Sequence, residues 1–576
     1  MRGRRARVAF AALAVAAATA ALYFVSKGKW SDALIDSGRE WIVPDALARG
    51  RLLYRDVVYW FGPFTPYFQA AFLRAFGSGF GSLVLAGGVS AAATLLLLHA
   101  VLRRVTSAHA AALWTALAIP ALVFMPNAGG ALLGMGYRIW HAAAFALAAV
   151  ALASRPPGRL GLVLAALGAG AAAGLAGLCR TEWGLAAASA AALAAFLRPR
   201  RRARGAAAAG LVLAAAAAVF AAGLGPFLRA AGTEAVLADG HVLFGRLPPE
   251  TRHFLVAFSG LPDWRRGLLE MFYSVCSWTG LAVVVAWLSW PRGLPRPRGL
   301  AVLLGSCLAG VAVAALAGGA GSAVLFSAGP VVSLAAAVAG LLRRRGSPAA
   351  ALAASGALGL VLSYRRPFHI GDSAYVAPPL LFAFVAAAGL LQLAVAARPR
   401  AAERGRLRRG FAVALAVAVA GAFAGRIAQY ASIEAVPLAG TAGMLSARRE
   451  LAREIEELGA LLRAKTGGGV VVFPEGEVLN FLSGRPNPIR HQLYLPGYLS
   501  AENEPQVLAE LRAHPPDAVV FWRRPVSEYD RALFGEDYGE TIRSWIEETY
   551  DLRPFRPAGT PARTNPRFIV GFRRPA

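Results

Sequence analysis

The chain has 576 residues, 57% of them hydrophobic and 16% charged, and a formal net charge of +28. Soluble domains are about 45–50% apolar, and the excess here is gathered into runs of about 18–22 residues, long enough as helices to cross a hydrocarbon core of about 30 Å. The runs do not alternate, which excludes a membrane β-barrel; open sheet cannot span lipid with unpaired backbone groups, and a basic balance that would point to nucleic acid on a soluble chain is here a matter of topology.

In chain order, residues 1–25 (MRGRRARVAFAALAVAAATAALYFV) have the basic start and apolar middle of a signal peptide. They are read as an uncleaved first span, because their loss would leave the orientation of the remaining spans unexplained. Thirteen spans are expected, at about 8–25, 80–102, 107–126, 138–154, 159–178, 183–197, 206–228, 269–290, 299–317, 322–342, 349–363, 374–396 and 410–430. The basic clusters RGRRAR, LRR, RPPGR, RPRRRARG, PRGLPRPRG, RRR and ARPRAAERGRLRR then share one side throughout, the cytoplasmic one by the positive-inside rule. The odd count places the C-terminus outside. Thirteen acids precede residue 430, and Glu403 is the one that falls in a cytoplasmic loop. Cys179, Cys276 and Cys307 lie in apolar runs and read as small buried hydrophobes rather than a disulfide framework or metal site.

The first outer loop, 26–79, gathers Asp32, Asp36, Glu40, Asp45 and Asp56. On a helix Asp36, Arg39 and Glu40 would share one face, with Pro44 and Gly50 ending that helix and Trp41 lying near the headgroups. Gly62-Pro63 marks a turn, and Pro66 is expected to open a second interfacial helix bearing Phe68, Phe72 and Phe76. The second large outer loop, 229–268, holds Asp239, His241 and His253. The segment YRRPFHIGDS holds Arg365, Arg366 and His369.

Beyond residue 430 the composition turns soluble. SARRELAREIEELGALLRAK reads as an amphipathic helix, VVVF as a strand, EGEVLNFLS as helical, DAVVFW as a second strand, ETIRSWIEETY as a helix and FIVGF as a third strand. The expected fold is therefore a polytopic α-helical membrane domain, 1–430, followed by an extracytoplasmic α/β domain, 431–576.

Several stretches carry a family resemblance: IDSGREWIVPDALARG, YRDVVYWFGPFTPYFQAAFLRAFG, GLCRTEWGL, RRPFHIGDSAYVAPPLLF, and VVVFPEGEVLNFLSGRPNP through HPPDAVVFW. Their layout resembles the GT-C glycosyltransferases, polytopic enzymes that take a sugar from a polyprenyl-phosphate donor outside the membrane. It looks closest to the bacterial relatives of the protein mannosyltransferases (family 39) and the lipid A aminoarabinose transferases. The resemblance implies a bacterial inner-membrane enzyme working on the outer face, with a lipid-linked sugar donor and an extracytoplasmic acceptor as partners and no nucleic acid. It also implies that Asp36 takes the acceptor proton in a single inverting displacement. The family's Asp-Glu pair is Asp36-Ser37 here; Glu40, one turn on, is the candidate substitute, and Asp56 a further candidate acid. Arg180, Arg366 and Arg365 are the candidates for holding the leaving phosphate. Arg39, Glu182 and His369 are accessory candidates. Some relatives bind a divalent metal through an outer-loop His and acid, so the metal question stays open, with His241, His253 and His369 as candidate ligands.

The competing reading pairs the loop acids with Arg39, Arg49, Arg51 and Arg55, and Arg180 with Glu182. The alternative function is a transporter or flippase for a lipid-linked or envelope precursor. Carriers place ionisable groups at midplane and show repeats; here almost all acids lie outside the spans, and no repeat is visible.

Overall fold

The computed structural model describes residues 2–126, 129–134, 137–154, 159–197, 202–241, 243, 248–258, 265, 347–363, 378–396, 398–559 and 565–575. Ten of the expected spans coincide with helices: α1 (Arg2–Ser26), α4 (Phe80–Leu102), α5 (Ala108–Ala118, extended by a π turn at Ile119–Val123), α6 (Tyr137–Ala153), α7 (Arg159–Cys179), α8 (Thr181–Leu197), α9 (Arg202–Ala231), α12 (Pro348–Ser363), α13 (Leu380–Ala396) and α14 (Ala401–Ala431). The expected spans at 269–290, 299–317 and 322–342 lie outside the described residues. Four stretches, Phe80–Leu102, Gly161–Cys179, Arg202–Ala231 and Ala401–Ala431, are long and apolar enough to cross a membrane by length and composition; the rest are shorter apolar helices.

Small residues let these helices approach closely. A Cβ on Gly170 of α7 would lie 2.4 Å from the Val212 carbonyl oxygen of α9, and one on Gly174 would lie 2.7 Å from that of Ala216. Outward faces keep large apolar side chains exposed, among them Leu96, Leu164, Leu185, Leu213 and Val417. In a multi-pass chain these are lipid-facing positions.

Between α1 and α4 the chain lays down a platform of two short helices, α2 (Ser37–Ala48) and α3 (Phe64–Phe76). Two expectations fail here. Pro44 does not end α2; it sits inside the helix, which stops before Gly50 at φ +95°. A proline at that place removes one ladder bond, and the buried apolar set of α2, including Trp41, Ile42, Val43 and Leu47, offsets the loss by packing. Trp41 is not at the headgroups: it is buried edge-on against Phe481, ring centroids 5.1 Å apart. The second helix starts at Phe64 rather than Pro66. Phe64, Phe68, Phe72 and Phe76 run along it in successive ring contacts. Helices α10 (Thr233–Asp239) and α11 (Pro249–Phe258) follow α9.

The C-terminal part begins with a two-residue pairing, β1 (Val436–Pro437) with β2 (Ser446–Ala447), and α15 (Arg449–Lys465). It then builds a four-stranded sheet from β3 (Val470–Phe473), β4 (Ala518–Trp522), β5 (Tyr550–Phe555) and β6 (Phe568–Arg573), in the order β3-β4-β6-β5. The β3–β4 pair is parallel and the other two pairs are antiparallel. A parallel pair needs a crossover, and residues 474–517 supply it with α16 (Val478–Ser483) and α17 (Glu504–Ala513). Helix α18 (Glu540–Thr549) precedes β5. Period-two alternation divides the sheet. Val471, Phe473, Val519 and Phe521 pack with Leu508, Leu511, Ile542 and Ile546 in one cluster. Val470, Val472 and Val520 join Ile455 and Leu458 of α15 and the platform's Trp41 and Ile42 in another. The soluble sheet and the membrane platform therefore share one hydrophobic core.

Candidate functional site

The five acids of the first outer loop do different jobs. Asp32 Oδ1 accepts from the Leu34 and Ile35 amides at 2.8 and 2.9 Å and shapes the approach to α2. Asp36 is the N-cap residue of α2, with its carbonyl accepting from the Glu40 amide at 2.9 Å. It has φ +66° and makes no side-chain cap. Asp tolerates positive φ better than most residues, yet the conformation costs of order 1–3 kcal/mol. Its Oδ1 accepts from Arg39. Asp36 and Arg39 thus pair at the start of α2. Glu40 turns inward to Arg138, 3.0 Å away, with both side chains almost completely buried. Asp45 pairs with Arg49 at 2.8 Å and accepts from Ser78. Asp56 accepts from the Leu52 amide at 2.8 Å and from Arg55, closing a surface turn away from Asp36.

Arg138, at the mouth of α6, stacks on Phe61 at 4.1 Å from the ring centroid, and Arg180, at the α7–α8 junction, lies 5.3 Å from the same ring. Such contacts stabilise buried guanidinium groups. Arg180 also pairs with Glu182 at 2.6 Å. Beside them opens a narrow cleft, lined by Arg39, Tyr59, Trp60, Phe61 and Arg138 from the membrane part and by His491, Gln492 and Tyr498 from the C-terminal part. Trp60 and Tyr498 stack at 3.5 Å across it.

The C-terminal domain brings further charge. Glu475 and Glu477, on the turn after β3, are 1% and 2% exposed. Burial is the main cause that pushes the Glu475 carboxyl up to about 8 and the Glu477 carboxyl up to about 7, with Asp36 raising and Arg39 lowering both. Burial likewise raises Glu40, against the pull of Arg138 and Arg39. Arg524 Nε lies 3.1 Å from Glu475, and its other arm pairs with Glu528. Farther out, Arg490 bonds the Tyr54 carbonyl at 2.8 Å and pairs with Asp239, and Arg51 caps carbonyls of residues 487–489.

Of the residues expected from sequence, Asp36, Arg39 and Glu40 lie together, and Arg180, paired with Glu182, lies 5.3 Å from the Phe61 ring. His241 stands edge-on to Trp60 at 5.2 Å, and His253 is exposed on α11. Arg365, Arg366 and His369 lie outside the described residues. Among the described residues no group of three or more His, Cys, Asp or Glu has metal-holding geometry. Sequence reasoning missed Arg138, Glu475, Glu477 and Arg524. A lone arginine at the start of an apolar run is itself a functional flag, as are two acids directly after a buried strand.

No family model matches the chain, and no curated protein matches it. Solved structures similar to it include ArnT from Cupriavidus metallidurans in the apo state, with 15% identity, 98% of each chain covered and TM-score 0.47. The same protein bound to undecaprenyl phosphate gives 13%, 97% of each chain and 0.45. The Archaeoglobus fulgidus oligosaccharyltransferase in complex with Zn and sulfate gives 15%, with 88% of this chain and 68% of that one covered, and 0.48. At TM-scores below 0.5 these likenesses carry no functional weight.

Proposed function

We propose that the chain is a polytopic glycosyltransferase of GT-C type, moving a sugar from a polyprenyl-phosphate donor to an acceptor hydroxyl on the extracytoplasmic face. The observation that carries the reading is the placement of Asp36. A backbone of costly φ holds its carboxylate at the seam between the platform and the C-terminal domain, next to a cleft lined by Arg39 and Arg138. Strain of this kind persists where the surroundings over-determine it, and it clusters at functional sites.

In this reading Arg39 takes Oδ1 of Asp36 and leaves Oδ2 for the acceptor. The acceptor oxygen bonds to the anomeric carbon as its proton passes to Asp36, and the bond from that carbon to the phosphate oxygen breaks with its electron pair going to the phosphate. Arg138 and Arg180, both against the Phe61 ring at the starts of α6 and α8, supply positive charge for the departing lipid phosphate. Both keep a carboxylate partner at rest, Glu40 and Glu182, which the donor's phosphate replaces or shares. The long Phe row of α3 and the apolar mouths of the spans suit a lipid tail. The sugar and the acceptor are left open.

The test is Asp36→Asn in a strain lacking the native copy, with protein level followed in parallel. Transfer is expected to fall about 100-fold or more while the lipid-linked donor accumulates at unchanged protein abundance. Normal donor turnover by the Asn form would remove Asp36 as the base. Consumption of donor by the purified wild-type chain, with free polyprenyl phosphate appearing, separates transfer from flipping.

A further inference from the structure

We infer that the C-terminal domain supplies the second carboxylate of the catalytic centre: Glu477, with Glu475 beside it, is a positioning residue that acts on Asp36 through their shared neighbour Arg39. This rests on the reading of Asp36 as the base. Ser37 stands next to Asp36, and Glu40, the acid one turn on, is committed to Arg138 at 3.0 Å in a buried pair.

The turn carrying Glu475 and Glu477 is built against α2. A Cβ on Gly38 would lie 2.2 Å from the Val478 amide nitrogen and 2.5 Å from the Glu477 carbonyl carbon, so the two backbones touch. Gly476 between the acids has φ +127°, which only glycine adopts readily. Glu477 Oε1 and Arg39 Nε are buried and, among the described residues, without hydrogen-bond partners, whereas Glu475 Oε1 faces Arg524 Nε at 3.1 Å. Leaving a carboxylate oxygen buried and unsatisfied, as at Glu477, is costly and adds nothing to the fold; rules broken without a structural return mark working groups.

Charge decides how the cluster behaves. Asp36, Glu40, Glu475, Glu477 and Glu528 face Arg39, Arg138 and Arg524, with Tyr59, Tyr137, Tyr494, Tyr498, Tyr529 and Tyr538 among the other titratable neighbours. The acids outnumber the guanidinium groups, so the cluster retains protons near neutrality. Protonated Glu477 and Glu475 leave Arg39 on Asp36. Ionised, they draw Arg39 toward themselves and free the Asp36 carboxylate for the acceptor. Activity therefore rises as pH passes through about 7 to 8. Stability runs the other way. A carboxyl whose folded pKa is raised contributes stability that is fully present below its unfolded pKa and lost as pH rises through the folded one.

The experiment uses the purified full-length chain and, as donor, the lipid-linked sugar extracted from cells lacking the protein. Glu477→Gln is expected to lower kcat about 10- to 100-fold with donor KM unchanged, to abolish the rise of kcat between pH 6 and 8, and to melt higher than wild type at pH 8. Glu475→Gln shows the same pattern more weakly, and Glu477→Asp restores part of both kcat and the pH rise. Wild-type kcat and pH profile in both Gln variants, with Asp36→Asn inactive, overturns the inference alone; an active Asp36→Asn overturns the underlying reading instead. Loss of activity in Glu477→Gln accompanied by a lower melting temperature at pH 8 assigns the residue a structural role and also overturns it.

Discussion

Glu40 and Arg138 meet at 3.0 Å with 3% and 2% of their side chains exposed, and each is more consequential for what it leaves behind than for what it contributes. Replacing one partner of such a pair strands the other charge in a low-dielectric interior and costs about 3–5 kcal/mol, whereas replacing both with groups of similar size is close to neutral. Arg138→Met is therefore expected to lower the melting temperature of the full chain far more than the double variant Arg138→Met, Glu40→Gln. Equal destabilisation by the two would show that the pair carries no coupling. Both variants are expected to be poor enzymes, because the cleft loses a guanidinium group in each. At this scale the sequence was partly legible. The acid cluster stood out against a chain poor in acids, and the alternative pairing of Arg180 with Glu182, two residues apart, is what the structure has. The partner of Glu40 is 98 positions downstream, and nothing local links the two. Glu475 and Glu477 could be flagged as acids after a buried strand, but not matched to Asp36: what brings them there is the docking of one domain on another.

Among the elements, Ala- and Leu-rich runs announced the helices because length and apolarity are local properties, and α4 falls where its run predicts, at Phe80–Leu102. Elements stabilised from elsewhere were harder to read. Helix α2 continues through Pro44 because its buried face is held by α3 and by the turn at Glu477–Val478. Strand β5 was not foreseen: it is an edge strand whose YDLRPF sequence is exposed at Asp551, Arg553 and Pro554 and shows little alternation. The contact that matters most is the smallest. Gly38→Ala adds one methyl where 2.2 Å is free, so α2 and the Glu475–Glu477 turn must part. Overpacking of this kind costs about 1–3 kcal/mol. The expected outcome is faster proteolysis in the segment joining α14 to α15, with lowered transfer although no charged group is altered. Gly405→Ala in α14, where nothing lies within 4 Å, is the control and is expected to be neutral or slightly stabilising. Identical behaviour of the two variants would mean that the close approach at Gly38 does not hold the domain.

For the whole molecule, a single core runs from the C-terminal sheet into the platform: Val470 and Val472 of β3 cluster with Trp41 and Ile42 of α2. The first outer loop and the C-terminal domain therefore occupy the same side of the bilayer, whichever side that is. Helix α14 settles how far the basic segment lies from them. At about 1.5 Å per residue its 31 residues extend about 46 Å, more than a hydrocarbon core, and it carries AAERGRLRR at its start while leading directly to the domain at its end. Arginine-rich short loops stay cytoplasmic, so the proposal puts the domain and the Asp36 seam outside, where a lipid-linked donor would be met after translocation. Cysteines placed at exposed Ala402 and exposed Glu536 report the two ends. In a background with Cys276 and Cys307 replaced by serine, a membrane-impermeant maleimide is expected to label Glu536→Cys in intact spheroplasts and Ala402→Cys only after permeabilisation, with Cys179 silent because it is buried. The reverse pattern would put Asp36 in the cytoplasm and remove the extracytoplasmic acceptor from the proposal. Labelling of both sites in intact spheroplasts would mean that α14 does not cross the membrane at all, and the shared core would then have to be reached by a different path of the chain.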